Sequence, residues 1–290
     1  MLKKSVLLAA TVALAFAAQP ADAAELKWVG CGISKKGFMA AMAKAYQAET
    51  GVEILVEGGG ATRGIRDTAS GASDMGGSCR HKLLVDEERN ARMIPIGWDA
   101  IVAITHPDNP VRRISLDDLK AIFEGRITNW KALGGPSAPI ELVVRKGKTS
   151  GVGLLVRELL FFDPERDFPG EAIQLKSSGP VEKHVEANPH AIAFTGISSG
   201  RKRSVNFLGI DGIEPSYDNI AKGAYSLVRP LYLVIPKHPS EEVAKFVRYA
   251  TGSEGQEIVR QEGTVNLIDG AGLWPKFRQD ALIARREGDF

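Results

Sequence analysis

Apolar residues along the chain alternate between short β-like runs and stretches with the three-to-four-residue spacing of a helix. Leu26-Lys27-Trp28-Val29 reads as a first strand, and Phe38, Met42, Ala45 and Tyr46 mark one face of a helix over 38–49. Gly51 closes that helix, and Val52-Glu53-Ile54-Leu55-Val56 alternates as a strand. Ile65 and Ala69 open the next helical spacing, and residues 73–80 hold a short third strand. Pro95–Thr105 is a long apolar strand, and Ser115 caps the helix that follows it. Strands over 140–145, 191–195 and 231–235 alternate with helices over 152–162, 181–186, 241–251 and 255–261. This alternation predicts an α/β fold with mixed, mainly parallel sheets, and ligands in such sheets sit beyond the carboxyl ends of the strands.

Three turns at that end carry the candidate chemistry. Glu57-Gly58-Gly59-Gly60-Ala61-Thr62-Arg63-Gly64 joins a strand to a helix. Its glycines permit positive φ and close backbone approach, and a helix starting there presents free N–H groups to an anion. Gly30-Cys31-Gly32-Ile33-Ser34, followed by Lys35 and Lys36, is a second such turn. It lacks the third glycine of a dinucleotide fingerprint and the Lys-Ser/Thr pair of a P-loop. Arg145, with Lys148, Thr149, Ser150 and Gly151 before the next helix, is the third. An arginine so placed can grip two oxygens of a tetrahedral anion. Each turn alone reads equally well as a tight turn or a solvated basic loop, and their repetition favours an anion site.

Composition narrows the class. Lys3-Lys4, an apolar run over 6–18 and Ala21-Asp22-Ala23 predict a signal peptide over 1–23, cleaved before Ala24, and hence export to the periplasm. Trp28-Val29-Gly30-Cys31 is a poor lipoprotein box, because Glu25 and Lys27 interrupt the apolar approach. Removing Lys3, Lys4 and Asp22 lowers the formal net charge from +2 to +1, which argues against a nucleic-acid partner. The five histidines lack metal-ligand spacing, so neither metal nor cofactor is expected. Gly196-Ile197-Ser198-Ser199-Gly200, with Asp211 and His238 downstream, has the order of a hydrolase triad. The basic stretch Arg201-Lys202-Arg203 stands where the elbow needs a helix, and an enzyme is not expected.

These motifs together resemble the phosphate-binding solute receptors of ABC transporters, within the type II periplasmic binding-protein fold. The resemblance spans the mature chain and is most specific at 123–136, Phe-Glu-Gly-Arg-Ile-Thr-Asn-Trp-Lys-Ala-Leu-Gly-Gly-Pro. It implies two lobes joined by a hinge, 24–104 with 225–290 and 105–224, closing on an inorganic oxyanion. The implied partner is the membrane permease of an ABC transporter or a sensor protein, and the implied state is a monomer. Carried over onto this sequence, the ligand residues are Gly32, Ser34, Ala61, Thr62, Arg80, Arg145, Thr149, Ser150 and Gly151. Ala61 stands where a serine is usual, and Val152 replaces a threonine. Cys79 stands where some members place the aspartate that accepts the proton of hydrogen phosphate. With Lys35, Arg63, Arg80, Arg145 and Lys148 as the nearby charges and Glu57 the nearest acid, weak discrimination by protonation state is expected. The family places Cys31 and Cys79 side by side, which implies a disulfide in an exported protein. The alternatives are a thiol pair for a thiophilic ligand, such as trivalent arsenic or a soft metal, and two inert buried thiols.

Overall fold

The computed structural model describes residues 25–275 and 277. The expected signal peptide over 1–23 and most of the polar C-terminal tail lie outside the described residues. The chain begins with β1 (Glu25–Gly30), and a continuous helical run follows: α1 (Gly32–Ser34), a π segment over Lys35–Met39, and α2 (Ala40–Thr50). Gly51 ends it at φ 77°, the left-handed conformation that suits glycine. Next come β2 (Glu53–Gly58), α3 (Ala61–Ser70) and β3 (Met75–Ser78). β1 pairs parallel with both β2 and β3. Gly64 and Gly76 let α3 lie directly on these strands. A Cβ at Gly76 would sit 2.2 Å from the Gly64 carbonyl oxygen, and one at Gly64 would sit 2.7 Å from that of Val29.

β4 (Ala91–Thr105) joins the two halves of the molecule. Residues 91–100 pair antiparallel with β11 (Val228–Pro236), whereas Ile101–Thr105 pair antiparallel with β8 (Ala191–Gly196). Beyond it come β5 (Arg113–Ile114), α4 (Leu116–Phe123), β6 (Glu141–Arg145), α5 (Gly151–Phe161), β7 (Ile173–Leu175) and α6 (Ser178–Ala187). β8 (Ala191–Gly196) pairs parallel with β6, and β6 with β7. α7 (Ile197–Gly200), β9 (Asn206–Phe207), β10 (Gly209–Ile210) and α8 (Tyr217–Ala221) complete the second half. The chain then returns through β11 (Val228–Pro236) to α9 (Glu241–Thr251), α10 (Ser253–Gln261) and β12 (Val265–Asn266). The main sheet is therefore parallel on each flank and antiparallel where β4 and β11 pass between the halves.

The apolar runs found in the sequence are the core. Trp28, Ile96, Leu231 and Leu233 are buried in the first half, and Ile104, Val143, Ile192 and Ala193 in the second. Trp28 lies over the glycines of its own sheet, since a Cβ at Gly77 would meet its ring at 2.0 Å. Among the described residues no helix is long and apolar enough to cross a membrane. Several helices begin earlier than their apolar spacing predicts. α1 opens the first helical run at Gly32 rather than Phe38, α3 starts at Ala61 rather than near Ile65, and α6 starts at Ser178 rather than Val181. Their first turns consist of small or polar residues, which leave no hydrophobic period to read.

Candidate functional site

Cys31 and Cys79 stand at the ends of adjacent strands. β1 and β3 run in register from Trp28↔Met75 to Gly30↔Gly77, and the Cys31 N–H donates to the Gly77 carbonyl at 3.0 Å. Both cysteines are buried and both are free thiols, so the implied disulfide is not formed in this structure. The Cys31 sulfur caps α1: it accepts from the Ser34 N–H at 3.3 Å and lies 3.1 Å from the Ser34 Oγ. The neighbouring Cys31 thiol, then the charges of Arg229 and Arg145, outweigh burial and lower the Cys79 thiol to about 6. Burial and the neighbouring Cys79 push the Cys31 thiol up. Cys79 is thus the more acidic thiol of the pair.

Two helix starts from opposite halves meet over this sulfur. A Cβ at Gly151, the first residue of α5, would fall 2.4 Å from the Cys79 Sγ and 3.2 Å from the Ala61 Cβ at the start of α3. Thr62 donates its hydroxyl to the Thr149 carbonyl across the same seam at 2.9 Å. α3, α5 and α6 begin without a side-chain cap, whereas Ser115, Ser216 and Ser240 cap α4, α8 and α9. Uncapped starts carry the partial positive charge of free N–H groups, which suits an anion. Gly60, at φ 88°, turns the chain into α3.

Arg145 ends β6 and donates Nη1 to the Ser178 Oγ at 3.0 Å and Nη2 to the Lys176 carbonyl at 2.8 Å. Burial lowers its basicity, and its Nε is buried without a partner. Arg229 on β11 is buried as well, donating Nη1 to the Cys79 carbonyl at 3.0 Å and Nη2 to the Asp99 carboxylate at 3.1 Å. Its Nε is also buried and unpartnered. Ser34, Ala61, Thr62, Arg145, Thr149 and Gly151 therefore gather around the cysteine pair, while the Ser150 hydroxyl turns back to the Gly147 carbonyl at 3.2 Å.

Most of the expected cations are engaged elsewhere. Arg80 is fully buried and spends its guanidinium on Glu88 at 2.6 and 2.9 Å, on the His81 and Thr149 carbonyls and on the Thr62 hydroxyl. It braces the wall of the site. Arg63 pairs with Glu57 and Asp67, and Lys148 with Glu165 and Asp167. Lys35 donates to the Val56 carbonyl. The expectation that Glu57 is the nearest acid also changes, because buried Asp99 pairs with Arg229 and buried Glu182 acts on Arg145, whereas Glu57 pairs with Arg63. Asp99 accepts from the Ser198 N–H and hydroxyl at 3.0 and 2.7 Å, and Glu182 accepts from Thr195, Ser199 and, across the halves, Lys36. In the sequence, Asp99 is a single charge inside the apolar strand over 95–105, and Arg229 stands two residues before the strand read over 231–235.

The hydrolase arrangement fails in a particular way. One turn of helix, α7, does follow β8, which the basic stretch had concealed. Ser198 nevertheless gives its hydroxyl to Asp99, and Asp211 accepts from the Leu116 N–H. Among the described residues no group of three or more His, Cys, Asp or Glu is placed to hold a metal ion.

A model of the PBP superfamily domain matches residues 17–254. The phosphate-binding protein PstS of Bacillus subtilis is 29% identical over 241 residues, covering 80% of this chain and 77% of its own. That of Borreliella burgdorferi is 28% identical over 188 residues, covering 62% of this chain and 67% of its own. A solved structure from Clostridium perfringens, provisionally assigned as a phosphate ABC transporter substrate-binding protein and containing phosphate, is 29% identical with a TM-score of 0.77. It aligns over 83% of this chain and 99% of that one. Uncapped helix starts beyond the strand ends and a matched domain covering most of the sequence agree: this chain belongs to the PBP superfamily.

Proposed function

We propose that the protein is an extracytoplasmic solute receptor that closes two lobes around phosphate or a related oxyanion and presents it to the permease of an ABC transporter. The observation that carries this reading is the meeting of α3 and α5 over the Cys79 floor, with Arg145 and Arg229 each holding a buried, unpartnered Nε. Such donors are costly to bury unless an acceptor arrives. The lobes are 24–104 with 225–290 and 105–224. The change of partner along β4 after Ala100, and the return of the chain at β11, support these limits. Closure would hide the anion from water, where charge-assisted hydrogen bonds are stronger. The Arg80–Thr149 and Lys36–Ser199 bonds, at 3.0 and 2.9 Å, are among the contacts that join the lobes. A thermal-shift screen of oxyanions at fixed ionic strength tests the assignment, because a ligand of the folded state raises the midpoint by mass action. Phosphate should raise it in a concentration-dependent way; no shift with any oxyanion would overturn the reading.

A further inference from the structure

The two thiols do more than line the cleft. Cys79 brings a negative sulfur to a place where two arginines and two helix starts attract an anion and only Asp99 opposes them. The charged groups facing it are Arg145 from β6, Arg229 from β11 and Asp99 from β4. The starts of α3 and α5 contribute the Ala61 and Gly151 positions, which carry no charge. In this form the thiolate already neutralises part of the field that an oxyanion needs. Cys31 has a second effect on the same site. By accepting from the Ser34 N–H and lying against the Ser34 Oγ, it occupies both donors of a residue assigned to the ligand.

We propose that Cys31 and Cys79 form a reversible disulfide that switches the anion cradle from a low-affinity to a high-affinity state. This inference rests on the oxyanion reading of the same site. The pairing of β1 with β3 brings the strand ends that carry the two residues together, and each thiol acts on the ionisation of the other. The oxidant is a disulfide, either small or on a partner oxidoreductase. The Cys79 thiolate attacks one of its sulfurs and expels a thiolate, leaving a mixed disulfide. The Cys31 thiol gives its proton to the released thiolate, and its sulfur displaces the second thiol group. The protein loses one proton and two electrons, so its charge rises by one, and the oxidant becomes one thiol and one thiolate. The Cys79 sulfur lies under Gly151 and both thiols are buried, so the reaction needs the lobes apart and bound ligand should slow it. Once formed, the bond removes the negative sulfur, turns Cys31 away from Ser34 and frees that residue's N–H and hydroxyl for ligand oxygens.

The test uses the full mature protein equilibrated in glutathione buffers from reducing to oxidising. Alkylation followed by intact mass should show both cysteines protected together in oxidising buffer, with a mass lower by two hydrogens. Cys31→Ser and Cys79→Ser should show no such intramolecular bond. Calorimetry with inorganic phosphate at pH 8 should then give reduced protein a Kd about tenfold or more weaker than oxidised protein, the loss expected for one charge-assisted donor. Both single variants should bind phosphate independently of the redox buffer. Two alkylatable thiols in oxidised glutathione would overturn the switch, as would equal phosphate affinity in the two forms. Absence of phosphate binding in both forms would instead remove the receptor reading and the switch with it.

Discussion

Gly151→Ala is the sharpest probe of whether the halves close on each other at the cysteine pair. The added Cβ would lie 2.4 Å from the Cys79 Sγ and 3.2 Å from the Ala61 Cβ. Carbon and sulfur do not approach much closer than about 3.5 Å, near the ordinary non-bonded optimum. The start of α5 must therefore withdraw from the first lobe by roughly 1 Å, because buried Cys79 has Cys31 and Arg229 around it and little room to turn. Donors aimed at a ligand from the other lobe would then be too long to bond well. Losing one or two charge-assisted hydrogen bonds at about 1.5–3 kcal/mol each weakens phosphate binding by about ten- to ten-thousandfold. Stability should move the other way, if at all, since alanine suits the first turn of a helix better than glycine by up to about 1 kcal/mol. Calorimetry with phosphate and denaturant unfolding of the same samples separate the two effects. Adding Cys79→Ala removes the obstructing sulfur and should restore much of the affinity, giving a large coupling energy in the double-mutant cycle. Wild-type affinity in Gly151→Ala, or additive losses in the double mutant, would refute closure at this seam.

Three further outcomes follow from the buried charges. Glu88→Gln leaves Arg80 buried without its carboxylate and should cost about 3–5 kcal/mol in urea unfolding; a loss below about 1 kcal/mol would mean that the pair is dispensable. Burial, opposed by Arg80, raises the Glu158 carboxyl to about 7 from its usual 4.5. The folded state therefore holds this proton more tightly than the unfolded chain does, and stability falls as pH rises between those values. Glu158→Gln should then raise the melting temperature at pH 8 and leave it nearly unchanged at pH 5, and an equal change at both would contradict the assignment. Asp99→Asn removes the charge that pairs with Arg229 and holds Ser198, and should destabilise the protein by a few kcal/mol. Calorimetric unfolding checks it, and a neutral outcome would mean that Arg229 finds its counter-charge in Cys79 alone.

The strands and helices were legible because apolar residues in Val52–Val56, Pro95–Thr105 and Leu231–Ile235 keep the period of a half-buried or buried strand. The site was legible only as glycines, hydroxyls and cations at strand ends. What the sequence withheld was the destination of each charge. Nothing in the local pattern says that Arg80 goes to Glu88, eight residues on, or that Arg229 crosses from β11 to Asp99 on β4. The helix starts were misplaced where they matter most. Gly32, Ala61 and Ser178 open their first turns with residues chosen for close approach, and such residues carry no hydrophobic period. A single charge inside or just before an apolar strand, as at Asp99 or Arg229, was the signal that could have found the missing half of the network.

Oxyanion binding through Arg145 is tested most directly by isothermal titration of phosphate and sulfate into the oxidised full mature protein and into Arg145→Ala. One site per chain is expected, with a loss of about ten- to a hundredfold for the variant, the value of one charge-assisted hydrogen bond. Measurable sulfate binding is expected as well, because the Asp99 and Glu182 carboxylates already accept from Ser198, Arg229, Thr195 and Ser199. An Arg145→Ala protein that binds phosphate as tightly as the wild type would contradict binding through Arg145.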